Sequence, residues 1–294
     1  MTDLLHAFVL PELGVRGAMV QLGEGYREVR SHQQYSDAVG RWLGQALAAS
    51  ALLITGIKFN GRLSLQLQGP GHLRLLYSEC TSEGDLRGIA RVDADQGLDT
   101  EFASASSGSN LAITLEPHLA REHYQGVVPM SGESLADTLE GYFDQSEQLP
   151  TRILLAADES RVAGLLLQRL PAEGGKLEGV DPDGWNRCEH LLGTISPTEL
   201  LETPAELLMH RLFHDQARSD RDPLPLHVRC RCSRTKVAEV LQRLGQAEAV
   251  AATEELGQAE VICEFCGKVY RFDPIEIAQL FRSDVVAPPP EGLQ

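Results

Sequence analysis

From about Leu4 to Leu170 the apolar positions switch between two periods, which predicts strands interleaved with helices. Three consecutive runs, roughly Leu63 to Leu67, Leu73 to Cys80 and Leu86 to Val92, alternate apolar and polar residues as half-buried strands do. Gly69-Pro70-Gly71 and Glu83-Gly84-Asp85 supply the turns between them, so the segment reads as an antiparallel meander. Ser36 can cap a helix whose apolar positions, Ala38, Val39, Trp42, Leu43, Ala46 and Leu47, recur at helical spacing and would cover one sheet face. A second helix is predicted from Ser134 to Gln145, with Leu135, Leu139, Tyr142 and Phe143 inward. Leu111 to Leu115, Ile153 to Ala156 and Val162 to Leu167 are short enough to be buried strands.

After Leu170 the texture changes. Pro171, Gly174, Gly175, Pro182, Gly184, Pro197 and Pro204 break the chain into short helical pieces such as Trp185 to Leu192 and Ala205 to Phe213. These pieces carry Trp185, Leu191, Leu192, Leu200, Leu207, Leu208, Leu212 and Phe213, enough apolar side chain to need a surface to lie on. A docked linker is expected. Beyond it come helices near Thr235 to Leu244 and Ala247 to Glu255, a hairpin across Val261 to Phe272 and a last helix from Pro274 to Phe281. The final APPPEGLQ reads as a frayed tail. The pattern as a whole is α+β: an N-terminal sandwich-like core with an antiparallel sheet (1–175), a metastable helical linker (176–228), a small C-terminal α+β module (229–284) and a tail (285–294).

Composition narrows the function. With 43% hydrophobic and 23% charged residues the chain is an ordinary globular sequence, and its formal charge of -16 disfavours phosphate backbones and anionic membranes as partners. The segment MTDLLHAFVL lacks the basic start of a secretory signal, and the most apolar stretch, Ala46 to Ile57, is too short to cross a bilayer, so a cytoplasmic location is expected. In a reducing compartment the six cysteines read as ligands, sensors or buried residues before they read as structural disulfides.

Four of them form two close pairs: Cys230-Arg-Cys232, then thirty residues from Ser233 to Ile262, then Cys263-Glu-Phe-Cys266. Four thiolates complete a tetrahedral zinc shell with Zn–S bonds of about 2.3 Å. Cys263-Glu-Phe-Cys266-Gly-Lys resembles a zinc knuckle in which Gly267 permits a left-handed residue. Arg229, Arg231, Arg234, Lys236, Lys268 and Arg271 crowd the pairs and are expected to favour thiolates. Spacing alone allows an inert structural zinc or a labile one. A Cys230–Cys232 bridge in extended chain would span about 6.6 Å between Cα atoms, near the upper limit for a disulfide, whereas the C-x-x-C turn closes more easily and should oxidise first. Because a module this small has a marginal core, losing the metal should unfold it.

The C-x-C and C-x-x-C after an α/β domain resemble the 33 kDa heat-shock chaperone family of redox-regulated holdases. GPGHLRLLYSEC with RGIARVD, YQGVVPMSGESLADTLEGYFDQSEQLPTRILLA, LLLQRLP, LFHD, CRCSRTKV and CEFCGKVYRF carry the likeness along nearly the whole chain. The resemblance implies a nearly inactive reduced form with one zinc ion on Cys230, Cys232, Cys263 and Cys266. It further implies that hypochlorous acid, or peroxide with heat, forms the disulfides Cys230–Cys232 and Cys263–Cys266, releases zinc and unfolds the linker. Unfolding client proteins are then captured by an oxidised homodimer and later passed to the 70 kDa heat-shock foldase system. Trp185, Leu191, Leu192, Leu207, Leu208, Leu212 and Phe213 are the candidate client-binding residues. The sequence departs from the family at Val162-Ala163-Gly164, where paired glycines are more usual; this bears on a local turn and not on the cysteines.

Other candidates are weaker. Cys80 and Cys188 lack a close cysteine partner and read as core or surface thiols. His210 and His214 have ligand spacing but no accompanying HExxH motif, so a solvated helix face is expected. Ser104 to Asn110 matches neither GxSxG nor a Walker pattern and reads as a flexible loop, and no enzyme site is found. A nucleic-acid-binding zinc ribbon is one alternative. Against it, Asp222 to Asp273 holds seven basic residues and eight acidic ones, little electrostatic footprint for such binding. A thiol-disulfide oxidoreductase is the other, although its C-x-x-C should open a helix after a strand.

Overall fold

The structure, a computed structural model, describes residues 3–57, 60–93, 101–118, 123–171, 181–254 and 257–281. The expected APPPEGLQ tail and the 175/176 boundary lie outside them. The chain divides into two compact units, Met1–Arg229 and Cys230–Gln294.

The first unit begins with β1 (Leu4–Leu10), β2 (Val15–Leu22), α1 (Glu24–Ser31), α2 (Asp37–Ile54), β3 (Gly61–Gln68), β4 (Leu73–Thr81) and β5 (Asp85–Val92). It continues through α3 (Phe102–Ala105), β6 (Asn110–Pro117), β7 (Tyr124–Pro129), α4 (Leu135–Tyr142), β8 (Thr151–Ala157) and β9 (Val162–Arg169). After these come α5 (Gly184–Leu192), α6 (Pro197–Glu202), α7 (Ala205–Phe213), and the two-residue strands β10 (Ser219–Asp220), β11 (Leu224–Pro225) and β12 (His227–Val228).

The predicted meander is the centre of one sheet, ordered β12-β5-β4-β3-β6-β7; a second sheet runs β10-β1-β2-β9-β8, with β11 also on β1. Every pairing is antiparallel except β12 on β5. Between the sheets lies α2, started by the Ser36 side chain accepting from the Val39 amide. From Val39 to Ile54 only Arg41 and Gln45 escape burial, because the helix has a sheet on either side. The buried Ser78 hydroxyl donates to the Ala46 carbonyl at 2.7 Å, fixing the helix on β4.

The predicted strand from Val162 to Leu167 is β9; Val162-Ala163-Gly164 begins it, so the departure from paired glycines falls in a strand, where a Cβ on Gly164 would stand 2.9 Å from Leu52 of α2. One expectation needs correction. The stretch Ser104 to Asn110 is not a free loop: it includes the end of α3, and Ser106 and Ser109 are buried, with Ser106 donating to the Phe102 carbonyl at 2.7 Å.

Helices α5–α7 cover the face of the second sheet that α2 leaves open. Phe8, Leu10, Val15, Met19, Leu165 and Leu167 of the sheet meet Leu192, Leu200, Leu208, Leu212 and Phe213 of the helices in one apolar cluster, and the Phe8 and Phe213 rings are 5.6 Å apart. This is the surface the broken helical stretch required.

The second unit comprises α8 (Arg234–Leu244), α9 (Gln246–Glu254), the hairpin β13 (Ala259–Ile262) and β14 (Val269–Phe272), and α10 (Pro274–Leu280). Among its described residues the buried apolar core is seven: Val237, Leu241, Ala249, Ala259, Tyr270, Phe272 and Ile277.

Candidate functional site

Cys232 is followed by Ser233, whose side chain accepts from the Lys236 amide and starts α8. The helix start thereby holds the C-x-C segment against the hairpin. On the hairpin side the chain turns between β13 and β14: the Gly267 amide donates to the Cys263 carbonyl at 2.8 Å, and the Cys263 amide to the Lys268 carbonyl at 2.9 Å. Gly267 has φ +67, the left-handed conformation expected of this position.

The two cysteine pairs converge. Cys230 and Cys263 sulfurs are 3.6 Å apart, Cys232 and Cys266 sulfurs 3.5 Å, and all four lie within 4.8 Å of one another. Sulfurs placed about 2.3 Å from a common centre at tetrahedral angles would stand about 3.8 Å apart, so the cluster fits a metal ion with little movement. Among the described residues this is the group able to hold one. The four side chains are half-buried.

Thiolate support comes from a group the sequence reading missed. The Tyr270 hydroxyl donates to Cys232 Sγ at 3.1 Å. Burial opposes the Cys232 thiolate, but the bonds from Tyr270 and the neighbouring thiols outweigh it and bring its pKa down to about 7, while burial pushes the Cys230 and Cys266 thiols up. Two of the cations expected to do this are engaged elsewhere: Arg234 pairs with Glu276 at 2.6 Å and lies over the Phe272 ring, and Arg271 pairs with Glu260 at 2.9 Å. Tyr270 opposes Val261 in the hairpin register, and no one-dimensional signal joins it to Cys232.

The helical segment carries the other candidates. Leu192, Leu208, Leu212 and Phe213 are buried against the second sheet, Trp185 and Leu191 are half-buried, and Leu207 is 42% exposed. A buried polar side chain ties the segment down, alongside ion pairs from Arg152 to Glu189 at 2.6 Å and from Arg161 to Glu202 at 3.4 Å. Gln21 of β2, itself buried, donates to the carbonyls of Leu200 (3.3 Å) and Thr203 (2.8 Å) and accepts from the Ala205 amide (3.1 Å). Past α7 the chain runs back along the sheets: β10 and β11 extend β1, and β12 joins β5. Val228, the last residue of β12, is two positions before Cys230.

The remaining candidates play no part in the site. Cys80 and Cys188 are buried thiols, and burial raises the pKa of both, Cys188 to about 11. His210 on α7 and His214, which caps its C-terminus, are exposed with ring centroids 6.0 Å apart. Among the described residues no helix is long and apolar enough to cross a membrane.

A two-sheet α+β core with a docked helical segment and a small module bearing four converging cysteines defines a class of thiol-bearing proteins with a cluster able to hold a metal ion. Comparison with known proteins makes the assignment specific. The family model described as Hsp33 protein matches residues 3–273. A 33 kDa chaperonin of Ectopseudomonas mendocina is 43% identical over 283 residues, covering 96% of each chain, and one of Azotobacter vinelandii is 42% identical over 281 residues, covering 95% of this chain and 94% of its own. The crystal structure of the 33 kDa chaperonin homolog of Thermotoga maritima superposes with a TM-score of 0.81 at 21% identity, covering 95% of this chain and 98% of that one, which shows a shared fold. The chain belongs to the Hsp33 family of chaperones.

Proposed function

We propose that the protein is a redox-switched holdase of the cytoplasm, built from a core (1–175), a helical linker (176–228) and a zinc-binding switch (229–284). The observation that carries this reading is the convergence of four cysteine sulfurs within 4.8 Å in a unit whose described residues bury seven apolar side chains. Zinc, when bound by Cys230, Cys232, Cys263 and Cys266, keeps the four sulfurs as thiolates and crosslinks the start of α8 to the β13–β14 turn. Each pair of thiolates can lose two electrons to an oxidant, forming one disulfide. With hypochlorous acid the products are chloride and hydroxide.

Cys263–Cys266 closes first, in the turn held by the Gly267 amide, and Cys230–Cys232 follows. Sulfurs joined in disulfides no longer form the ligand set, and the small core is too little to keep the unit folded alone. Loss of order at Cys230 frees the adjoining β12, and with it the strands and helices that return to the sheets. Release of α5–α7 exposes Leu192, Leu208, Leu212 and Phe213 together with Trp185, Leu191 and Leu207, an apolar surface able to hold unfolding client proteins. The oxidised form acts as a homodimer and passes its clients to a 70 kDa heat-shock-type foldase when reducing conditions return.

The test measures zinc content, free thiols and suppression of a heat-unfolding client's aggregation, before and after oxidation. Oxidation is expected to release one zinc, consume four thiols and switch suppression on. Zinc that survives oxidation, or suppression indifferent to it, sinks the switch. Catalytic turnover of disulfide substrates would point to an oxidoreductase, and salt-dependent nucleic-acid binding to a ribbon protein.

A further inference from the structure

Helix α2 ends at Ile54, short of the end of the second sheet, so among the described residues no helix lies over the part of the sheet face that bears Arg16 and Gln168. The space left is a cavity of about 930 Å³ within the first unit, with Ile54, Ile57, Leu149 and Leu224 among its apolar walls. Two guanidinium groups also line it, Arg16 and Arg221.

Neither has a carboxylate partner among the described residues. Arg16 donates only to neutral oxygens, from Nε to Gln168 Oε1 at 2.9 Å and from Nη1 to Thr55 Oγ1 at 3.1 Å. Its Nη2 lies against Gly56, where a Cβ would stand 2.6 Å away, so glycine leaves that nitrogen room. Burial, and next to it the like charge of Arg221, pull the Arg16 pKa down to about 10. Asp222 lines the same cavity but makes no ion pair with either arginine, and the C-terminus of α2 supplies only about half a negative charge. A half-buried cation beside a second cation, in a space of ligand size and without an ion-paired carboxylate among the described residues, is suited to an anionic ligand.

We propose that this cavity binds a small amphiphilic carboxylate, its head group bridging Arg16 and Arg221 and its alkyl tail lying along Ile54, Ile57 and Leu224. The Arg221 amide donates to the Ala7 carbonyl at 2.9 Å, in the segment between β10 and β11. Head-group binding therefore links the sheet to the chain that returns from α7, and the ligand stabilises that closure by mass action.

Isothermal titration of the full-length reduced protein with decanoate, below its micellar concentration, tests the site. One saturable site is expected, with a raised thermal midpoint. Arg221→Gln, a change at an exposed residue, and Arg16→Gln, checked for fold by circular dichroism, should each weaken binding about tenfold or more, as loss of a charge-assisted contact does. Decyl maltoside, which keeps the tail without the charge, and acetate, which keeps the charge without the tail, should both fail to compete. Decanoate binding that is unchanged in Arg221→Gln, several equivalent sites, or equal competition by decyl maltoside would assign binding to general apolar surface and overturn the proposal. Equal competition by inorganic phosphate or acetate would overturn it too, by making the tail irrelevant.

Discussion

Gln21→Leu should loosen the helical segment while leaving the metal site intact. The substitution keeps the size of a buried side chain but removes three hydrogen bonds, to Leu200, Thr203 and Ala205, and strands the Ala205 amide without its acceptor. At about 1 kcal/mol net per bond the docked state loses about 3 kcal/mol, or a factor of about 10² in the docking equilibrium. Native-state hydrogen exchange reads this directly. Amides of α6 and α7 should exchange about 10² times faster in the reduced, zinc-loaded variant, whereas those of α2, β3 and β4 keep their protection. If the helical segment is what holds clients, the same variant should suppress aggregation without oxidant. Unchanged protection in α6 and α7 of a folded Gln21→Leu protein would refute the claim that this side chain fastens the segment.

Tyr270→Phe removes the hydroxyl that donates to Cys232 Sγ and should cost about 10–100-fold in zinc affinity, measured by competition with a chromogenic chelator; unchanged affinity would remove Tyr270 from the site. Stripping zinc from the reduced protein with a strong chelator should abolish exchange protection in α8–α10 and the adjoining β12 and leave that of β1–β9, because the described residues of the second unit bury seven apolar side chains of their own. Asp158 faces burial but is held below its ordinary value of 3.8 by the Ser160 and Arg161 amides and the Arg161 guanidinium. Its folded-state pKa is depressed, so its stabilisation is present above 3.8 and is lost as pH falls through the folded value. Asp158→Asn should therefore lower the urea midpoint at neutral pH and converge with the parent in strong acid; a gap independent of pH would contradict this.

The parts of the fold that were legible in the sequence are those whose determinants are local. Helix α2 announces itself through Ser36 and a long apolar periodicity, and the meander through alternating runs punctuated by glycine turns. The four cysteines are legible because ligand type and spacing are themselves the chemistry. The docking surface for α5–α7 was not legible: Leu208, Leu212 and Phe213 declare that a partner exists, but Phe8, Val15 and Leu165 are not identifiable as that partner from one dimension. Two-residue strands such as β10 and β12 carry no period at all, and exist only by virtue of β1 and β5. Charge was misleading near the cysteine cluster. Arg234 and Arg271 are adjacent to the cysteines in sequence, yet Glu276 and Glu260 take them.

The pairing of β1 with β10 and β11 has a consequence for how the molecule is made. Phe8 leaves the ribosome well before its register partner Asp220, which follows 212 positions later (220 − 8). At about 5–20 residues per second the outer edge of β1 waits about 10–40 s for its partner. Throughout that interval an apolar strand presents unsatisfied amides and carbonyls, the template on which chains aggregate. This chaperone is, during its own synthesis, an unfinished sheet in need of protection.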